Sequence, residues 1–175
     1  MHSKKKINAV TGVTNAAARA YENVNGRMCS GELPATYPIT NSLFSTFSTS
    51  YTRGTKDTEP ANGITTSNIP EIHPVMGTAA LRYDRSVFFG EIQGVFSGRH
   101  EYVDTDLGEE QMPPYGLLNL KVGAQKRDLR LTVALANVLN EQYVDHMSYQ
   151  RDPFRSGVKV SEPGRNFYAN VAFRF

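Results

Sequence analysis

Apolar and polar residues alternate with a period of two along most of this chain, the spacing of a strand whose successive side chains point to opposite faces. In the last segment Phe167, Ala169, Val171, Phe173 and Phe175 fall on one face, and Tyr168, Asn170, Ala172 and Arg174 on the other. Leu129, Leu131, Val133 and Leu135 oppose Arg130, Thr132 and Ala134, while Leu118, Leu120 and Val122 oppose Asn119 and Lys121. Further upstream Phe88, Gly90, Ile92, Gly94 and Phe96 oppose Phe89, Glu91, Gln93 and Val95. Val75, Gly77, Ala79, Leu81 and Tyr83 likewise oppose Met76, Thr78, Ala80 and Arg82. Leu43, Phe47 and Tyr51 mark a weaker strand opposite Thr46, Ser48 and Thr52, and a further strand is suggested from about Arg27 to Tyr37. Helical periodicity never lasts beyond a turn or two.

The connections between these strands alternate in length. Tight turns are expected at Pro38-Ile39-Thr40-Asn41, Asp84-Arg85-Ser86 and Lys126-Arg127-Asp128. Long connections are expected from Arg53 to Pro74, Gly98 to Pro114 and Asn140 to Gly164. Strict alternation predicts an all-β, antiparallel up-and-down meander of about seven strands, with every tight turn at one end. Outer-membrane barrels are built this way, with short periplasmic turns and long outer loops. The rival is a soluble sandwich or a lipocalin-like barrel, which also alternates its faces but bounds its strands with evenly short loops. Tyr51, Tyr83, Phe88, Tyr115, Phe167 and Phe175 lie towards strand ends, where interfacial girdles place aromatics and where ordinary strands also carry them.

Composition narrows the choices. The 175 residues are 39% hydrophobic and 21% charged, with Lys+Arg at 19 against Asp+Glu at 17 and a net charge of +2. That near-cancellation supplies no basic face for nucleic acid. A mean hydropathy of −0.42 and the lack of long apolar runs exclude transmembrane helices. They leave membrane strands open, since only every second residue of such a strand must be apolar. Cys29 stands alone, without a disulfide partner or a zinc-type spacing. The basic Met1–Lys6 stretch precedes a short, interrupted Ile7–Val13 segment, so no export signal is visible and the reading is a protein that stays inside or one whose start lies upstream. No glycine-rich phosphate loop is present. Ser97-Gly98 and Ser156-Gly157 have no His and Asp in triad order, and Glu109-Glu110 reads as a solvated loop tip.

Particular motifs go further. Pro114-Tyr115-Gly116-Leu117-Leu118-Asn119-Leu120 opens one strand, and Leu131 to Asn140 ends in Asn-Val-Leu-Asn. Then follow Tyr143, His146, Ser148-Tyr149-Gln150-Arg151-Asp152-Pro153-Phe154, and Glu162-Pro163-Gly164-Arg165 before an aromatic strand ending in Phe. Upstream lie Ala20-Tyr21-Glu22-Asn23-Val24, Arg27, Gly31-Glu32, and Ile69-Pro70-Glu71-Ile72-His73-Pro74. Together these resemble the carboxy-terminal part of TonB-dependent outer-membrane receptors. Two departures mark a divergent relative: His73 replaces the usual Pro, and Cys29 stands where an aromatic is frequent.

The resemblance runs from about Ala20 to Phe175 and corresponds to the last third of such a barrel, which has 22 strands around a plugged lumen. Residues 1–175 are therefore expected to form one partial barrel domain, with the plug and the earlier strands absent. Seven strands at about 4.8 Å spacing make a sheet roughly 34 Å wide with two open edges. Such a sheet is not expected to insert as a stable monomer. The resemblance implies an outer-membrane location in a Gram-negative cell and uptake of an iron-siderophore or metal complex, with no catalysis and no cofactor. The implied partners are outer-membrane lipid, the TonB energy-coupling complex acting through the missing plug, and the barrel-assembly machinery. Arg82, Glu91, Gln93, Arg130 and Arg174 would line the lumen as wall residues.

The outer-loop residues Asp145, His146, Met147, Tyr149 and Arg151, with Asp152, are the candidate ligand contacts. Imidazole and thioether suit a soft metal, Arg and Tyr an anionic chelate, and plain loop structure is the alternative to both. His73 and His100 sit at strand ends on the same rim, and their convergence is left open. Phe175 is read both as an assembly signal, engaged by edge-strand addition, and as a girdle aromatic. Two rival functions remain: a small stand-alone or oligomeric barrel with a structural or adhesion role, and a soluble sandwich that binds an apolar ligand.

Overall fold

A computed structural model of the protein describes residues 2–7, 14–20, 23–146, 149–150 and 158–174. Its main body is one seven-stranded antiparallel sheet. The strands are β3 (Gly26–Pro38), β4 (Leu43–Lys56), β5 (Met76–Arg85), β6 (Phe88–Ser97), β7 (Tyr115–Lys126), β8 (Leu129–Ala136) and β11 (Asn166–Phe173). Each pairs with its neighbour in sequence except that β8 pairs with β11, because the intervening connection holds a separate pair of two-residue strands, β9 (Tyr149–Gln150) and β10 (Val158–Lys159). A separate hairpin joins β1 (His2–Ile7) to β2 (Thr14–Ala20).

Register brings all the apolar faces onto one side. One continuous row runs Tyr37, Ser45, Leu81, Ile92, Leu120, Leu135, Phe167 across the seven strands. The neighbouring row, on the opposite face, runs Pro38, Phe44, Arg82, Glu91, Lys121, Ala134, Tyr168. A slip of one residue in any strand would turn its apolar set to the polar face, so the alternation itself selects this register. The apolar row stays open, with Tyr37 and Phe167 at 69% and 66% exposure. On the polar face Glu91 accepts from Lys121 Nζ at 2.9 Å and Arg82 Nη1 at 3.3 Å, and Asn119 donates to Gln93 at 3.2 Å.

Two elements differ from expectation at their limits. β3 is a full 13-residue strand; its alternation is faint because the outward positions include the small residues Gly31 and Ala35. β4 runs on to Lys56, three residues past the expected loop start, because β3 pairs with it as far as Gly26. The tight turns fall where expected. Ser86 and Arg127, each at φ 52°, take the positive φ that two-residue hairpins ask of a central position.

The packed interior lies away from the sheet centre. Ile64, Val103, Met112, His100, Asp104 and Glu109 are buried, and all belong to the long connections. Of the buried hydrophobics among the described residues, only Phe89 and Ala134 lie in the sheet, both on its polar face, so most of the packed interior sits at the long-loop end.

Candidate functional site

Three long connections, 57–75, 98–114 and 137–165, leave the same end of the sheet, and their described residues pack on one another. The first two each contain a single 3-10 turn, Pro60–Asn62 and Thr105–Leu107, closed by Gly63 and Gly108 at φ 80° and 75°. Asp104 is the hub. Its carboxylate caps the second turn by accepting from Asp106 N at 3.1 Å and is ion-paired to Lys56 at the end of β4. Its own N–H donates to Glu109 Oε2 at 2.7 Å, while Glu109 Oε1 accepts from Glu71 N at 2.7 Å. Asp106 in turn accepts from the Thr65 and Thr66 N–H groups at 2.7 and 2.9 Å and from the Thr65 hydroxyl. Burial pushes Asp106 up, but the Thr65 hydroxyl, the two N–H groups and the Lys56 charge outweigh it and hold the carboxyl below its ordinary value. Asn68 donates to Val103 O at 2.9 Å, and the Arg53 guanidinium lies 3.6 Å above the Tyr102 ring.

The third connection is tied down by the Asn-Val-Leu-Asn piece. Asn137 and Asn140 adopt φ of 49° and 55°, a left-handed conformation that Asn tolerates. Asn137 exchanges two hydrogen bonds with the Glu141 backbone at 2.8 Å, and Asn140 Oδ1 accepts from Arg165 N at 2.9 Å. Arg165 Nε donates to Val138 O at 3.0 Å. The two most distinctive motifs of the carboxy-terminal third are thus one structural unit, and a Cβ on Gly164 would meet Asn140 Oδ1 at 2.7 Å.

The three connections meet at three imidazoles. His73 comes from the first, His100 from the second and His146 from the third. The His73 and His146 ring centroids are 4.0 Å apart, and those of His100 and His146 are 5.9 Å apart. His100 and the His146 side chain are buried, and neither ring has a hydrogen-bond partner on either nitrogen. The Ile72 carbonyl lies near His100 without hydrogen-bond geometry, and Asp145 Oδ1 stands 3.3 Å from His146 Nδ1. Asp145 is held from behind by the Tyr115 hydroxyl, which donates to Oδ2 at 2.6 Å. Burial, reinforced by neighbouring His73 and His100 and opposed by Asp145, lowers His146 to about 4, and burial lowers His100 despite nearby Glu109. Both rings are therefore neutral at physiological pH. Beside them a cleft of about 260 Å³ is lined by Tyr51, Ile72, His73, Arg99, His100 and Tyr102. A larger hollow of about 350 Å³ is the open polar face between β3 and β6, bounded by Pro34, Ser48, Met76 and Val95.

No protein-family model matches the chain, and no curated protein matches it. Solved structures do. The copper transporter OprC superposes with a TM-score of 0.75 at 23% identity, covering 87% of this chain and 24% of its own. The ferric yersiniabactin uptake receptor FyuA from Yersinia pestis gives 0.65 at 14% identity, with 87% and 24% covered. A mutant of the ferric enterobactin receptor PfeA from Pseudomonas aeruginosa gives 0.57 at 16% identity, with 82% and 22% covered. The sheet has the fold of a stretch of β-barrel wall. It spans about a quarter of the length of these proteins.

Within that wall the expected ligand residues divide. Asp145 and His146 stand at the loop junction, in contact with Tyr115 and with the other two histidines. Tyr149 lies in β9, while Met147, Arg151 and Phe175 fall outside the described residues. Glu109 corrects the reading of a solvated tip: it is 7% exposed and joins two connections, whereas Glu110 beside it is exposed. Asp104, Lys56 and Asp106 were not singled out by sequence. An acidic residue in a polar loop carries no periodic mark of a partner some forty residues away.

Proposed function

We propose that this chain is the carboxy-terminal barrel portion of a TonB-dependent outer-membrane receptor, acting in uptake of a metal ion or metal chelate. The observation that carries the reading is a single apolar face across seven strands, with all long loops gathered at one end. A strand wall of this kind meets hydrocarbon on its apolar side and a hydrated lumen on the Arg82, Glu91, Lys121 side. The shared fold with a copper transporter and two ferric-chelate receptors supports a metal cargo. On this reading the long-loop end faces outward and captures ligand, with Asp145, His146, Met147, Tyr149 and Arg151 as its contacts. The wall performs no chemistry. Energy arrives from TonB through a plug supplied by sequence outside this stretch, and the last strand with Phe175 engages the barrel-assembly machinery.

Orientation is the test. Cys29 is exposed near the long-loop end of β3. It should react with a membrane-impermeant maleimide in intact cells. A cysteine placed at Arg127, in the tight turn, in a Cys29→Ser background should react only after the outer membrane is breached. Labelling in the reverse order, or recovery of both in the soluble fraction, would reject the reading.

A further inference from the structure

We propose that His73, His100 and His146 together bind one borderline divalent transition-metal ion, as the bare ion, at the junction of the three long connections. The proposal deepens the uptake reading by naming the ligand class at the same rim, and it rests on that reading only for its role in transport.

Three of the chain's four histidines, one from each connection, converge although nothing in the strand pattern requires it. Four buried ring nitrogens without partners are an unusual debt for a folded core, where buried polar groups are normally satisfied. One metal ion takes one nitrogen from each ring and so satisfies two of the four, while Asp145 stands beside a third. The fold also supplies the support such a ligand needs. A carboxylate beside one imidazole nitrogen fixes the ring and leaves the other nitrogen to the metal, and metal-ligating histidines are commonly backed in this way. Here Tyr115 holds Asp145, and Asp145 stands at His146 Nδ1, so Nε2 is the atom left to bind.

The two ring separations that His146 makes are compatible with a shared ion once the rings turn. With a metal–nitrogen bond of about 2.0 Å and tetrahedral angles, ring centroids of two ligands lie about 5 Å apart. The two measured separations, 4.0 and 5.9 Å, fall about 1 Å to either side of that value. No three His, Cys, Asp or Glu side chains among the described residues already enclose a metal position, so closure requires turning the rings. His73, exposed beside the cleft, has the freedom to turn and opens a path for the ion. Three imidazole nitrogens favour copper(II), zinc or nickel over calcium or magnesium, and leave a fourth position open.

The test uses the protein at its full natural length, extracted from outer membranes in mild detergent and stripped with chelator, in a His2→Ala background. Copper(II) is titrated and read by electron paramagnetic resonance and by calorimetry. One ion per chain with three nitrogen couplings is expected. His100→Gln and His146→Gln should each weaken binding at least about tenfold while heat-modifiable migration is retained, and Asp145→Asn should weaken it less. Unchanged affinity in the histidine variants would overturn the proposal. Should those variants not fold, the unsubstituted protein decides: three coupled nitrogens uphold the site, and two or fewer overturn it. Intact copper binding without metal uptake by cells would count against the transport reading alone. Lost binding with the surface-labelling pattern preserved would count against this site alone.

Discussion

Asp104 is fully buried, is charged, and lies in a loop, a combination that proteins tolerate only when every oxygen is engaged. Lys56 at Oδ2 and the Asp106 N–H at Oδ1 meet that condition. Removing one partner of a buried pair leaves the other charge stranded, at a cost of about 3–5 kcal/mol. Asp104→Ala should therefore release segments 57–75 and 98–114 while the strands stay paired. Hydrogen exchange would show faster amide exchange in those segments alone, and uniform loss of protection through the sheet would contradict it. Asp106 gives the pH dependence. Its folded value lies below the ordinary 3.8, so its contribution is fully present above that pH and disappears as pH falls through the lowered value. Docking of Thr65 and Thr66 should thus hold from neutrality to about pH 4 and loosen below it. Asp106→Asn should remove that acid step when exchange at these two amides is followed against pH. Neither role was legible in the sequence, because an aspartate at a loop tip and an aspartate at a hub look alike without their partners.

At the scale of strands the sequence was far more readable. Every apolar set identified from period-two spacing lies on the one shared face, and the three tight turns lie where charged and polar residues interrupt it. What the pattern could not show is how glycines and aromatics pair across strands. Phe96 lies opposite Gly77 on the apolar face and Phe89 opposite Gly123 on the polar face, each ring folded over the glycine. Phe89 also carries the Arg82 and Arg130 guanidinium groups at 4.6 and 5.1 Å from its centroid. A Cβ at Gly123 would overlap that ring and approach Leu131 O to 2.6 Å. In the protein at its full natural length, Gly123→Ala should accordingly cost about 1–3 kcal/mol, the usual penalty of overpacking, read as a lower denaturant midpoint for loss of the heat-modifiable form. Glu91→Gln on the same face should cost under about 1 kcal/mol in that assay, since Arg82 and Lys121 are partly solvated at 31% and 37% side-chain exposure.

For the molecule as a whole, β3 and β11 each have one edge without a strand partner among the described residues. On the proposed membrane reading, unpaired backbone groups in hydrocarbon would cost several kcal/mol apiece, so the wall would hold only where further strands meet both edges. If the seven strands are expressed as the sole barrel segment, purified monomer in detergent should show no heat-modifiable migration; a shift would mean that the edges close by themselves. The expected architecture was legible because loop lengths alternate, whereas the packing among the loops was not. That packing inverts the usual map of where a chain accepts foreign sequence. Long exposed loops are ordinarily the places to splice in a peptide tag or a fluorescent domain. Here such a graft into 98–114 would pull apart the most deeply buried packing among the described residues, while the turns at Ser86-Val87 and Arg127-Asp128 are each held from outside by one backbone hydrogen bond, from Gln125 and Arg174. An engineer seeking a handle on this protein should begin at the small end.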